Sequence, residues 1–159
     1  MQLTPSRPDI EFLILDPRLE EWGLPEYQSS MAAAIDLHAC ADQSLSIAPG
    51  SPAILISAGF AMHIADPGIA ALIAPRSGMG HKRGLVLGNS VGVIDADYTG
   101  TVMVSVWNRN PAGSEPIRIE PGERIAQMIF VPILRPRFTV VTSFSASSER
   151  GAGGFGSTG

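Results

Sequence analysis

The chain turns sharply at residues 92–100, which read Gly-Val-Ile-Asp-Ala-Asp-Tyr-Thr-Gly. An apolar strand here ends at the carboxylate of Asp95, a polar turn brings up Tyr98, and a second strand, residues 101–108, leaves in the opposite direction. The pattern predicts a β-hairpin with Asp95 at its mouth. A carboxylate held by strands on both sides is well placed to take a proton from water. Asp and Gly are also ordinary turn residues, so this stretch alone is compatible with a purely structural turn.

Short β-branched or alternating runs fill the chain on both sides of this stretch. The 13 prolines and 17 glycines are spread along the whole chain and argue against long helices. Strands are predicted at residues 10–15, 53–56, 60–64, 69–74, 102–107, 125–131 and 138–141. Residues 75–83 are the one candidate helix, and it is short. This rhythm predicts an all-β sandwich or barrel.

Length and charge exclude several classes of protein. A chain of 159 residues is expected to form one domain. Its net charge of −4 excludes a broad basic surface for a nucleic acid polymer, so any anion site must be local. The single cysteine, Cys40, cannot form an internal disulfide. We see no signal-peptide pattern and no run of about 18 apolar residues, so we expect a cytoplasmic protein without a membrane partner.

The composition changes at residue 143. Residues 143–159 are rich in Ser, Gly and Ala and cannot build a core of their own, whereas residues 1–142 can. This predicts a β-barrel domain over residues 1–142, followed by a flexible, glycine-rich C-terminal arm over residues 143–159. The arm carries Arg150 and Phe155, side chains suited to bind phosphate and to stack on a base. A disposable terminus is the alternative.

A second candidate site lies at residues 75–80, Pro-Arg-Ser-Gly-Met-Gly. Arg76, the hydroxyl of Ser77 and the backbone at Gly78 meet at the start of the predicted short helix, a combination that suits phosphate. A glycine-rich structural turn explains the same residues equally well. The chain has no Walker A loop, and its three histidines, at positions 38, 63 and 81, show no metal-ligand spacing.

Five stretches of the chain resemble, in order, the signature motifs of the trimeric deoxyuridine triphosphate nucleotidohydrolases (dUTPases). These stretches are residues 33–37, 75–89, 92–100, 124–127 and 150–159. One such match would be weak, but five in the right order are specific. The resemblance implies a distorted jelly-roll fold and a homotrimer with active sites shared between subunits.

The resemblance also implies an activity and a set of site residues. Such enzymes hydrolyse dUTP to dUMP and pyrophosphate with Mg²⁺, which keeps uracil out of DNA and supplies dUMP for dTMP synthesis. By this resemblance, Asp95 activates the attacking water, and Asp36 contacts the metal through water. The residues implied in base and sugar binding are Asn89, Gly92, Tyr98, Met103 and Phe155, and those implied in phosphate binding are Arg76, Ser77, Gly78, Gln127 and Arg150.

Some positions depart from the family pattern, and two other functions stay open. Ala34 stands where glycine is usual, Thr99 where many relatives have arginine, and Arg83 where histidine is frequent. The first alternative is a dCTP deaminase of the same fold, which would need a glutamate where this chain has Ser105. The second is a non-catalytic, nucleotide-binding jelly-roll trimer, which would be expected to lose Asp95 or the arm.

Overall fold

Ten strands and two short helical segments form the computed structural model, which describes residues 8–148 and 151. The strands are β1 (Glu11–Ile14), β2 (Ile35–His38), β3 (Leu45–Ile47), β4 (Ile54–His63), β5 (Ile69–Pro75), β6 (Leu85–Leu87), β7 (Gly92–Ile94), β8 (Thr101–Asn108), β9 (Ile117–Ile119) and β10 (Arg124–Pro132). Helix α1 (Arg18–Trp22) follows β1, and a π-helical segment, Gly78–Arg83, connects β5 to β6. No helix in the described part of the chain is long and apolar enough to cross a membrane.

The strands form two four-stranded sheets and one small ladder. One sheet has the order β1-β4-β8-β6, the other has the order β2-β10-β5-β7, and β3 pairs with β9. All of these pairs are antiparallel. The predicted all-β, jelly-roll class is confirmed, with sheets that do not close into a barrel.

The two sheets share one core. Along β8 every second side chain is buried, so Val102, Val104 and Val106 are fully excluded from water while Met103 and Trp107 face outward. Such alternation is what a strand with one buried face requires. Leu37 of β2 and Met128 of β10 belong to the same core cluster from the other sheet. The core therefore holds the ends of β2, β5 and β10 in fixed positions.

The predicted hairpin at residues 92–108 is wrong. Strand β7 pairs with β5, whereas β8 pairs with β4 on one side and β6 on the other. Since both edges of β8 are occupied, β7 has to pair elsewhere. At Gly92 the chain packs closely on β5, because a Cβ there would lie 3.0 Å from the Cβ of Ile73. Residues 95–100 are thus a corner between two sheets.

Three other predictions needed correction. The runs at 53–56 and 60–64 are one strand, β4, with its register interrupted near Gly59, which has φ +80°. Within the predicted helix 75–83, only the π-helical segment formed, and α1 was not predicted. The predicted strand at 138–141 is not formed, and none of the strands in residues 8–148 pairs with this run. Phe138 is 88% exposed and Val140 is 99% exposed.

Candidate active site

Four polar side chains from three distant parts of the chain meet at one end of the neighbouring strands β2, β10 and β5. Gln127 on β10 stands opposite Asp36 on β2 and opposite Ala74 on β5. Its side-chain Nε2 donates a hydrogen bond to the carbonyl of Pro75, at 2.9 Å. Arg76 follows directly after β5. The strand register therefore brings together three of the predicted site residues.

Two arginines hold the carboxylate of Asp36. Its Oδ1 accepts from Nε of Arg76 at 2.7 Å, and its Oδ2 accepts from Nη1 of Arg124 at 3.1 Å. We call Asp36, Arg76, Arg124 and Gln127 the arginine cluster. Two guanidinium groups against one carboxylate leave one positive charge, and both arginine side chains are partly open to solvent. The cluster is suited to attract an anion.

Arg124 was not assigned an individual role from the sequence. It lies in the fourth signature stretch, residues 124–127, but only the β2–β10 pairing shows that it reaches Asp36.

Ser77 and Gly78 are exposed beside the arginine cluster. They lead into the π-helical segment, whose Met79 is buried and anchors it to the core. The N–H of Gly80 donates to the carbonyl of Arg76 at 2.8 Å. This bond holds the backbone on both sides of Ser77, whose exposed side chain follows directly after Arg76 in the chain. A hydroxyl and a guanidinium group on neighbouring residues suit a phosphate.

The corner at residues 95–100 fixes Asp95 and Tyr98. Asp95 is exposed directly after the buried Ile94. The N–H of Tyr98 donates to the carbonyl of Asp95 at 3.2 Å, and the phenol of Tyr98 donates to the carbonyl of Thr101 at 2.9 Å. A Cβ on Gly100 would lie 2.6 Å from the Tyr98 hydroxyl, so glycine is what lets the ring lie over the turn.

Two further predicted residues lie on either side of this corner in the chain. Asn89 is exposed in the β6–β7 connection, just before Ser90, which has φ +63°. Met103 lies on the outer face of β8, opposite Ser57. Arg150 and Phe155 lie outside the described residues.

Within one chain, the corner and the arginine cluster lie at opposite ends of β5. Strand β7 runs antiparallel to β5 with Ile94 opposite Ala71, so Asp95, the next residue, lies near the end of β5 that begins at Ile69. Arg76 lies just past the other end of β5. Asp95 is therefore level with Ala70, six residues before Arg76, and a rise of about 3.3 Å per residue puts the two levels about 20 Å apart along the strand. Asp95 lines a separate groove of about 740 Å³ that also includes Ile69 and Arg135.

His38 is the buried polar side chain of this region. It is 8% exposed, and among the described residues its Nδ1 has no hydrogen-bond partner. Burial lowers the pKa of His38, because the charged form loses its water.

A jelly-roll chain with an exposed carboxylate on a held backbone corner and a cationic cluster has the groups needed by a hydrolase that acts on phosphates. The dUTPase family model matches residues 20–159, and the chain belongs to the dUTPase family. The deoxyuridine 5'-triphosphate nucleotidohydrolase of Psychromonas ingrahamii is 55% identical over 151 residues, which cover 94% of this chain and 97% of that protein. The enzyme of the same name from an Enterobacter species is 54% identical, covering 94% and 96%.

Solved structures agree with these sequence relatives. A dUTPase of Staphylococcus bacteriophage 80alpha, solved with dUpNHpp, is 28% identical with a TM-score of 0.81. The match covers 96% of this chain and 99% of the phage chain.

Proposed function

We propose that this chain hydrolyses dUTP to dUMP and pyrophosphate, with Asp95 as the general base that activates the attacking water. The observation that carries the proposal is the corner itself. An exposed carboxylate follows a buried strand, and the phenol of Tyr98, in the same corner, is held by its hydrogen bond to the carbonyl of Thr101. The backbone that carries this carboxylate is held by the corner, so little reorganisation is needed before it takes a proton. We infer the substrate, dUTP, from membership of the dUTPase family.

Recognition of uracil and deoxyribose is assigned to the corner and its neighbours. A pocket built to hydrogen-bond a group rejects an analogue that lacks it by about 10⁴-fold or more, and this can separate uracil from cytosine. Excluding the methyl group of thymine by weak contacts gives only about 10- to 200-fold, so a close steric wall has to carry that discrimination. We assign base reading to Asn89 and to the backbone from Gly92 to Met103. We assign to Tyr98 the packing against the sugar that leaves no room for a ribose 2′-hydroxyl.

Phosphate binding is assigned to the arginine cluster and the residues beside it. Arg76 presents a planar fork suited to phosphate oxygens, and Ser77 and Gly78 offer a hydroxyl and backbone N–H groups next to it. Gln127, held by the carbonyl of Pro75, has its amide fixed at the same edge. A guanidinium group that neutralises phosphate charge adds about 10³ or more to the rate in comparable phosphoryl transfers.

The separation along β5 favours an active site built from more than one chain. Asp95 and Arg76 have to act on one triphosphate, yet they lie about 20 Å apart along the strand direction. In a homotrimer the two residues can meet at one substrate, because the corner of one subunit can face the arginine cluster of the next. Large apolar side chains that a single chain leaves in water support assembly: Leu55 is 66% exposed and Leu134 is 92% exposed.

The C-terminal arm, residues 143–159, is proposed to close this site. Arg150 would contact phosphate, and Phe155 would stack on the base. Closure over the substrate excludes competing water and completes the site. Upstream of these residues, the last strand ends at Pro132, and residues 133–148 are exposed. Residues 133–148 are therefore free to contact a neighbouring subunit.

Magnesium is proposed as the cofactor, carried mainly by the substrate. Among residues 8–148 and 151, no group of three or more His, Cys, Asp or Glu side chains is arranged to hold a metal ion. Magnesium usually keeps several waters and binds through phosphate oxygens. Both oxygens of Asp36 already accept from arginine, so Asp36 fits as an acceptor for a metal-bound water and not as a direct ligand. When bound, the ion would neutralise phosphate charge.

An assay of two products tests the proposed function against both alternatives. Purified protein with Mg²⁺ is expected to release pyrophosphate from dUTP and no ammonia from dCTP. A deaminase would need a glutamate at the position of Ser105 on β8, and the serine side chain is not an acid that could shuttle protons. Ammonia release from dCTP would favour the deaminase, and nucleotide binding without either product would favour the non-catalytic module.

A further inference from the structure

The π-helical segment that follows the phosphate-binding residues cannot hold its shape alone. It is six residues long and includes Gly78 and Gly80. Helices this short are unstable in isolation, and glycine lowers helix stability further. Its end is closed by an N–H from Gly84 to the carbonyl of Met79. Its conformation must therefore be set by groups outside it.

The end of β8 and the residues after it bind the carbonyl groups of this segment. Nε and Nη2 of Arg109 both donate to the carbonyl of Gly80, at 3.2 and 3.0 Å. The N–H of Arg109 donates to the carbonyl of Gly84 at 3.0 Å. Nδ2 of Asn110 donates to the carbonyl of Arg83 at 2.9 Å. We call Asn108, Arg109 and Asn110 the carbonyl clamp.

The carbonyl clamp is anchored in the core. Asn108 is completely buried, and its Nδ2 donates to the carbonyl of Ile47 at 2.9 Å. Its Oδ1 accepts from the N–H of Asn110 at 3.0 Å. Asn110 packs so closely against Gly84 that any Cβ at Gly84 would overlap its amide. A buried amide with both ends bonded is a rigid base for the two residues that follow.

The clamp reaches the phosphate-binding residues through one peptide group. The carbonyl of Gly80 is held by Arg109, and the N–H of Gly80 donates to the carbonyl of Arg76 at 2.8 Å. The orientation of Gly80 therefore constrains the backbone of Arg76 and of Ser77 between them. Arg109 also adds a positive charge at the carbonyl end of the segment, where it is favourable.

We propose that Arg109 is a positioning residue for phosphate binding, which acts by fixing the backbone of Arg76 and Ser77 through Gly80. The proposal rests on the proposed function, in which Arg76 and Ser77 contact the substrate phosphates. Arg109 is exposed, so its removal leaves the buried core unchanged. Its effect is expected on nucleotides in proportion to the phosphates they carry.

The test compares the dissociation constants of a non-hydrolysable imido analogue of dUTP and of dUMP. Arg109→Ala is expected to weaken binding of the analogue by about tenfold, the loss of one charge-assisted hydrogen bond, and to weaken dUMP by less than about twofold. Arg109→Lys should recover part of the loss, since an ammonium group can reach one carbonyl but not act as a fork. Lys82→Ala is the matched control, because it removes the same charge from an exposed residue of the same segment.

Arg76→Ala, measured in parallel, separates the two proposals. If Arg76→Ala leaves the affinity for the analogue unchanged, the phosphate assignment itself fails. If Arg76→Ala weakens the analogue but Arg109→Ala behaves like Lys82→Ala, only the clamp is overturned. If Arg109→Ala weakens the binding of dUMP and of the analogue equally, Arg109 has only a structural role, and the proposal is overturned in this case too. Should Arg109→Ala fail to fold, Arg109→Lys carries the same comparison, since it loses the fork to the carbonyl of Gly80 and keeps the charge.

Discussion

Replacing Asp95 by asparagine is expected to lower the turnover number for dUTP by about 10²- to 10⁴-fold, the usual contribution of a positioned general base. The amide is nearly the same size as the carboxylate but cannot accept the proton of the attacking water. Binding of the imido analogue should change little, because base and phosphate contacts are assigned to other residues. Steady-state turnover and the dissociation constant of the analogue are the two measurements.

Asp97→Asn is the matched control for Asp95→Asn. Asp97 is an exposed carboxylate in the same corner, two residues on, and its replacement removes the same charge. We expect its turnover number to stay within about threefold of the parent, since exposed substitutions of this kind have small effects. If Asp95→Asn retains near-normal turnover, or if both variants lose activity equally, Asp95 is not the base.

Deleting residues 149–159 is expected to reduce kcat/KM for dUTP by at least about 10²-fold, because it removes the guanidinium group of Arg150 and the closing aromatic ring of Phe155. The core cluster lies entirely before residue 130. The midpoint of thermal unfolding should therefore change little. A double substitution, Arg150→Ala with Phe155→Ala, should reproduce most of the loss with the chain length intact. Full activity after the deletion would exclude the arm from the site.

Much of the fold could be predicted from local patterns. The alternation along β8 predicts which side chains enter the core, and Val102, Val104 and Val106 do so. Pairing partners are different, because they depend on which strand edges remain free elsewhere. The interpretation of residues 92–108 as a hairpin failed for this reason: both edges of β8 are taken by β4 and β6. The run at 138–141 has strand composition, but no strand of the described part of the chain pairs with it.

The site divides in a similar way. Asp36, Arg76 and Gln127 were assigned from motif resemblance, and the register of β2, β10 and β5 supports their grouping. The separation of Asp95 from this group could not be predicted, since it follows from the pairing of β7 with β5. Arg109 was missed because it acts on backbone carbonyl groups, which leave no pattern in the sequence.

The most direct test of a shared active site is to co-express two inactive chains, Asp95→Asn and Arg76→Ala, and to assay the mixed oligomers. If each site takes Asp95 from one subunit and Arg76 from another, random assembly leaves about a quarter of the sites with both residues intact. We therefore predict recovery of about a quarter of the parent turnover. If Asp95 and Arg76 of the same chain act together, every site keeps one defect. Activity no higher than that of either inactive parent would then contradict the account.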